Sequence, residues 1–197
     1  MQRKKIVNPI IKDTALFLTT AAECGEKMTE VELELYGGGG NGLHIHRRFS
    51  ETFTAIQGNL LLNLGKKKFM TLAPGEKFTV KPGQPHCFQN PGKEKIVFRI
   101  EIVPGDADFE RFIHILYKMA ATGLTNKKGL PKDLKTLSLL MAMGDIHPVG
   151  INRLLTPLIK FLGRKAYREG LDQKLIKKYC TEDYFFIHSR ELLATAL

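Results

Sequence analysis

Four side chains in two short segments set the chemical question: His44, His46 and Glu51 lie close together, and His86 follows forty residues later. Three imidazoles and one carboxylate are a full set of protein donors for a first-row transition metal, and they leave coordination positions open to other ligands. In an extended strand, residues i and i+2 share a face, so His44 and His46 point one way and Ile45 the other. Glu51 comes just past a short turn. His86 reaches the others only if a sequence-distant strand folds beside them. A lone histidine on a strand is ordinarily a core residue, so weight rests on the four together.

The elements that must position these donors are short strands. From Thr29 to Val103 the chain alternates apolar runs with turn signals. Val31 to Tyr36 has period two, and further runs cover 53–57, 60–64, 67–72, 77–80, 86–90 and 95–103. The breaks fall at Gly58-Asn59, Gly65, Pro74-Gly75, Pro82-Gly83 and Pro91-Gly92. Strands this short and this often interrupted predict a β-sandwich or barrel. The run Gly37 to Gly42 lacks the helix start and Lys-Ser/Thr of a phosphate loop, so it is a turn. Lys66-Lys67-Lys68 reads as a solvated turn between strands.

After Pro104-Gly105 the period becomes helical. Asp106 is placed to cap a helix carrying Phe109, Phe112, Ile113, Leu116 and Tyr117, with Gly123 ending it. Pro131 suits the first turn of a second helix containing Leu134, Leu137, Leu140 and Met141. A third is expected over 151–162, where Pro157 either kinks it or marks its start. A fourth is expected over 171–179. The tail after Thr181 is apolar enough to pack, without an assigned element.

The two donor segments resemble the paired motifs of the cupin family. The first runs Gly38-(five)-His44-x-His46-(four)-Glu51-(six)-Gly58, and the second runs Gly75-(five)-Lys81-x-Gly83-x-x-His86-(three)-Asn90. The second departs from the pattern at Lys81, where the family usually has proline; the position shapes a turn and is not a ligand. The resemblance implies a mainly β fold, an RmlC-like double-stranded β-helix (jelly-roll barrel), followed here by C-terminal helices. It implies a barrel domain over 1–104 and a helical extension over 105–197, packed on the barrel or on a partner, as in small single-domain bacterial cupins. It also implies one divalent metal (iron, manganese, nickel or zinc) on His44, His46, Glu51 and His86, and commonly a homodimer.

Activity follows less directly, because oxygenases, isomerases, decarboxylases and cyclases share this scaffold. The expected function is a metal-dependent enzyme, oxygenase- or isomerase-like, acting on a small organic molecule. The alternative is a non-catalytic barrel that binds or senses a small ligand. Glu51 is a candidate general base as well as a ligand. Phe53 and Phe88 share the strand parity of Glu51 and His86 and are candidate pocket residues, with simple core packing the equal alternative. Arg99, inside an apolar strand, is a third, facing either the pocket or an interface. Arg47 and Arg48 fall at the rim, as a solvated loop or an anion-steering pair. Cys87 is expected to point away from the metal as a buried thiol. His114, His147 and His188 have no ligand partners at sensible spacing and are expected to be structural or surface residues.

Composition narrows the partners. The 197 residues carry a formal net charge of +10, and the excess divides evenly: 15 Lys/Arg against 10 Asp/Glu in residues 1–104, and the same in 105–197. No basic tail or aromatic-interleaved patch concentrates it, which argues against nucleic acid as the partner. Anionic lipid contact through the basic helices is a weaker expectation. The longest stretch free of acidic and basic residues, Thr52 to Gly65, is 14 residues, short of the roughly 18 a spanning helix needs. Three widely spaced cysteines form no disulfide framework. No secretory leader is evident, and the expected compartment is the cytoplasm.

Overall fold

The computed structural model describes residues 4–180. Eleven strands are present among them: β1 Ile6–Asn8, β2 Asp13–Thr19, β3 Thr29–Leu35, β4 His44–Ile45, β5 Ser50–Gln57, β6 Leu60–Asn63, β7 Phe69–Leu72, β8 Lys77–Val80, β9 Cys87–Gln89, β10 Ile96–Val103 and β11 His147–Pro148. One sheet has the order β1-β2-β3-β10-β5-β8. The other is β7-β6-β9, and an antiparallel bridge between His44 and His86 joins it to β4, with β11 on the far side of β4. Every pairing is antiparallel, as a jelly roll requires.

Alternation decides which residues face inward. In β3 every second residue is buried, beginning at Thr29, and in β5 the buried set is Glu51, Phe53 and Ala55. Phe49, Phe53, Phe98, Leu60 and Leu62 are all at most 1% exposed and fill the space between the sheets. Lys66 to Lys68 form the expected turn, closed by the Leu64 N–H donating to the Lys68 carbonyl at 2.8 Å.

Helices α1 (Ala107–Ala121), α2 (Leu134–Met143), α3 (Thr156–Arg168) and α4 (Leu171–Tyr179) follow β10. Asp106 caps α1 by accepting from the Phe109 N–H at 2.8 Å. Pro157 sits in the first turn of α3 and does not kink it; a 3-10 turn over Gly150–Leu155 leads in. Pro131 does not open α2. It bridges to Thr125, and α2 starts only after Asp133, whose carboxylate accepts from the Thr136 N–H at 2.7 Å. A side chain able to cap outcompetes a proline two residues earlier.

Two strands precede the region where strands were expected. β2 is buried at its first three positions and alternates only afterwards, so it lacks a clean period of two. The helices and the barrel share one hydrophobic core: Phe109, Phe112 and Ile115 of α1, Leu139, Leu140 and Met143 of α2, Ala166 of α3 and Ile176 of α4 belong to the same buried cluster as the sheet residues. Gly163 permits α3 to approach α2 closely, since a Cβ there would stand 2.9 Å from the Ser138 carbonyl oxygen. His188 and the tail after Thr181 lie outside the described residues.

Candidate metal centre

His44 comes from β4, His46 from the residue after it, Glu51 from β5 and His86 from the bridge that leads into β9. The four are between 1% and 8% exposed, and one donor atom from each lies within 4.8 Å of every other. His44 Nε2 and His46 Nε2 are 2.9 Å apart, His86 Nε2 and Glu51 Oε2 2.5 Å, and His46 Nε2 and Glu51 Oε2 3.8 Å.

The opposite edge of each imidazole explains why these nitrogens converge. His44 Nδ1 lies 2.7 Å from the Gly42 carbonyl oxygen, His46 Nδ1 3.2 Å from that of Asp145, and His86 Nδ1 3.1 Å from that of Gln84. A carbonyl oxygen can only accept, so each Nδ1 carries the proton and each neutral ring turns an Nε2 lone pair inward. Three lone pairs and a carboxylate then face one point with no proton to share. Neither Glu51 Oε2 nor His86 Nε2 has a hydrogen-bond partner of acceptable geometry despite their closeness. Such an arrangement is costly when buried, and a divalent cation relieves it. The 2.9 Å span between two Nε2 atoms also suits neighbouring donors on one ion at about 2.1 Å. The donor set therefore fits a metal.

Electrostatics point the same way. Burial, with His46 and His86 nearby, pushes His44 down to about 3, and burial also lowers His46 against the pull of Glu51. Burial opposes ionisation of Glu51, but the electrostatic pull of the adjoining His46 and His86 outweighs it and draws the carboxyl down to about 2. His86 is raised: burial opposes its charged form, and its contact with Glu51 prevails.

The extension after β10 also builds the site. Asp145, at φ +50° between α2 and β11, accepts the backbone N–H groups of Arg47 and Arg48 at 2.5 and 2.7 Å on Oδ2, and His147 Nε2 lies 2.8 Å from its Oδ1. Its carbonyl orients His46, as described above. β11 pairs with β4, setting His147 beside Ile45 and Pro148 beside His44. Phe49 and Phe109 enclose the His46 ring at centroid distances of 4.6 and 5.7 Å. Asp145 was invisible from sequence, its contacts spanning 97 to 99 residues; the only signal was an Asp-x-His following a helix.

A cavity of about 570 Å³ opens from the donors. His44, His46 and Glu51 line one part, and most of the remainder is apolar, from the barrel, α1 and α2. Phe88 lines it. Phe53 does not; it is buried behind His86, with the rings 6.0 Å apart. Arg99 is not a pocket residue either. It lies on the outer face of β10, its Nε 3.0 Å from Glu32 Oε2 on β3, because its parity is opposite to that of the buried Phe98 and Ile100.

Arg48 is exposed at the rim, as expected, but its guanidinium is engaged by the protein. It donates to Asp106 Oδ2 and to the Ala142 and Met143 carbonyls at 2.7, 3.1 and 2.6 Å, fastening the loop after His46 to the start of α1 and the end of α2. Arg47 is exposed. Cys87 is buried and does not line the cavity. His114 is buried against Phe17, the rings stacked at 5.1 Å.

Comparison with known proteins agrees with the geometry. Residues 31–114 match the family model described as Cupin domain. None of the curated proteins compared with the chain matches it. Similar solved structures include an RmlC-like cupin from Shewanella frigidimarina (19% identity, TM-score 0.46, 55% of this chain and 89% of that one). An uncharacterized conserved protein with a double-stranded β-helix domain from Klebsiella pneumoniae is similar at 23% identity and TM-score 0.43, over 48% and 78% of the two chains. The polyketide cyclase RemF from Streptomyces resistomycificus is similar at 19% identity and TM-score 0.43, over 47% and 65%. Since all four inward-facing donors fall inside the matched span, the chain carries a cupin domain at residues 31–114.

Proposed function

We propose that the protein is a metal-dependent enzyme of small-molecule chemistry, oxygenase- or isomerase-like, using one divalent transition metal (iron, manganese, nickel or zinc) held by His44, His46, Glu51 and His86. The observation that carries this reading is the set of three Nδ1 contacts to backbone carbonyls, which fix every imidazole with its Nε2 lone pair facing Glu51. When bound, the metal supplies Lewis acidity toward a substrate oxygen. The chain's own residues do the rest. The apolar walls exclude water from the donors and so strengthen the electrostatic interactions there. Among the described residues Glu51 is the one carboxylate lining the cavity, and it is the group placed to take a proton from a substrate carbon or hydroxyl.

One observation favours a second reading, a barrel that binds or senses a ligand without turnover. Beyond the donors, the titratable residues lining the cavity among the described residues are Tyr117, whose hydroxyl is engaged in donating to Asp13, and Lys128, with no second carboxyl or imidazole beside them. Elemental analysis of protein purified without added metal tests the shared premise, with about one equivalent expected. His46→Ala is expected to lose it, and full retention would sink the ligand assignment. Oxygen uptake and product analysis with the metal found, over diketones, catechols and thiols, then separates the readings: thermal stabilisation without turnover selects the binder.

A further inference from the structure

The cavity extends well beyond what four metal donors need, and the sheet register gives its course. Glu51 on β5 pairs with Ile102 on β10, Ile100 with Val31 on β3, and Leu33 with Ala15 on β2. Asn8 lies on β1, the next strand. All of these residues line the cavity. It therefore crosses five successive strands and four gaps between them, about 19 Å along the curved sheet at about 4.8 Å per gap. Ile113 and Leu116 of α1 and Leu137 of α2 form the opposite wall.

Polar groups sit at the two ends of this path. At one end are the metal donors. At the other is Asn8, fully buried on the last strand, whose Oδ1 accepts from the Ile10 and Ile11 N–H groups at 3.1 and 3.3 Å. That assignment turns Nδ2 into a donor, and it has no hydrogen-bond partner. A buried amide donor left unpaired is costly, so a residue of this kind bordering a cavity calls for an acceptor from outside the chain. Along the sheet between the two ends, the lining is Ile, Val, Leu and Ala.

We infer that the cavity takes an elongated, predominantly apolar organic acid or carbonyl compound, with its oxygen head at the His44/His46/Glu51/His86 cluster and a hydroxyl or carbonyl oxygen at its far end accepting from Asn8 Nδ2. The placement of the head rests on the metal reading proposed above; the apolar body and the Asn8 contact rest on the register and the unpaired amide. Shape and polarity at both ends select the ligand, and chain length is the property the cavity measures.

The experiment is calorimetric titration and thermal shift of the full chain, as purified and after chelation, with butyrate, dodecanoate and 12-hydroxydodecanoate. Dodecanoate is expected to bind and raise Tm at concentrations where butyrate does neither. Leu137→Trp, on the partly exposed helical wall, is expected to weaken dodecanoate at least tenfold with metal content unchanged. Asn8→Leu is expected to retain dodecanoate and to lose severalfold affinity for 12-hydroxydodecanoate relative to it. Equal response to butyrate and dodecanoate, or unchanged affinity in Leu137→Trp, would overturn the cavity proposal while metal content still reports on the donors. If Asn8→Leu does not fold, the ratio of the two C12 affinities in the native chain decides the far-end contact: a preference for the unsubstituted acid by tenfold or more overturns it. Dodecanoate binding to protein that never holds metal would retain the apolar site and reject the metal reading.

Discussion

Asp145 carries more of the site than any residue outside the four donors. Its side chain accepts two consecutive backbone N–H groups from the loop after His46, and its own carbonyl fixes the His46 proton on Nδ1. Removing the carboxylate leaves that carbonyl in the chain but frees the loop that sets its distance from the ring. Groups that orient a ligand in this way typically matter by 10- to 100-fold in metal affinity. Asp145→Ala is therefore expected to weaken metal binding by about that factor, measured by competition with a chromophoric chelator. Asp145→Asn, which keeps one acceptor oxygen, is expected to fall between. Native affinity in Asp145→Ala would show that the loop holds its place without the carboxylate. The Phe49 and Phe109 rings around His46 act differently, by shape and by excluding water, and Phe49→Leu is expected to cost stability of about 1 kcal/mol or somewhat more through lost packing while metal stoichiometry stays the same.

At the scale of elements, two buried carboxyls tie α1 to the barrel. Glu110 Oε1 accepts from the Ala21 N–H at 2.7 Å and from the Thr29 hydroxyl at 2.5 Å, and Asp13 on β2 accepts from the Tyr117 hydroxyl at 2.5 Å. Burial pushes both carboxyls up to about 7, from ordinary values of 4.5 for Glu110 and 3.8 for Asp13, with the hydrogen bonds only partly opposing it. A folded-state value above the unfolded one means the protonated form is favoured by folding, so the stabilisation is complete below about pH 4. It falls as pH climbs toward 7, and the contribution levels off above that. Tm measured from pH 4 to 8 is expected to contain this downward component, and Asp13→Asn with Glu110→Gln is expected to flatten it. An identical slope in the double variant would assign the dependence to other groups. These contacts join residues 81 to 104 positions apart, which is why no sequence window contains them. What could be read from sequence was local: alternation in β3, the Asp106 cap, Pro157 as one of two alternatives for the start of the third helix, and the inward parity of His44 and His46. What could not be read were β11, Asp145 and the role of Arg48, because each is defined by a partner about a hundred residues away.

For the molecule as a whole, the change from strands to helices after Pro104 is a boundary in secondary structure and not in the core. The inner face of the six-stranded sheet shows Val31, Leu33, Ile100 and Ile102 to the cavity, and α1 and α2 form the other side of it. Taking the helices away would open that face to water along with Phe49, which packs on Phe109 at a centroid distance of 5.2 Å. It would also remove β11 from the edge of β4, leaving the backbone beside the first histidine unpaired. Arg48 would lose its partners on Asp106, Ala142 and Met143, and His46 its carbonyl. A contiguous apolar surface of this kind drives association or partial unfolding in a monomer. A fragment of residues 1–104 is therefore expected to bind a hydrophobic dye, to lose near-ultraviolet dichroism and to hold metal poorly, whereas a barrel with a self-sufficient core would unfold in one cooperative transition and keep its metal. Finding the second behaviour would make the helices an accessory layer. Finding the first would make them part of the machinery that orients His46, and would explain why the extension contributes both a strand and a carbonyl to a centre whose four donors all lie before it.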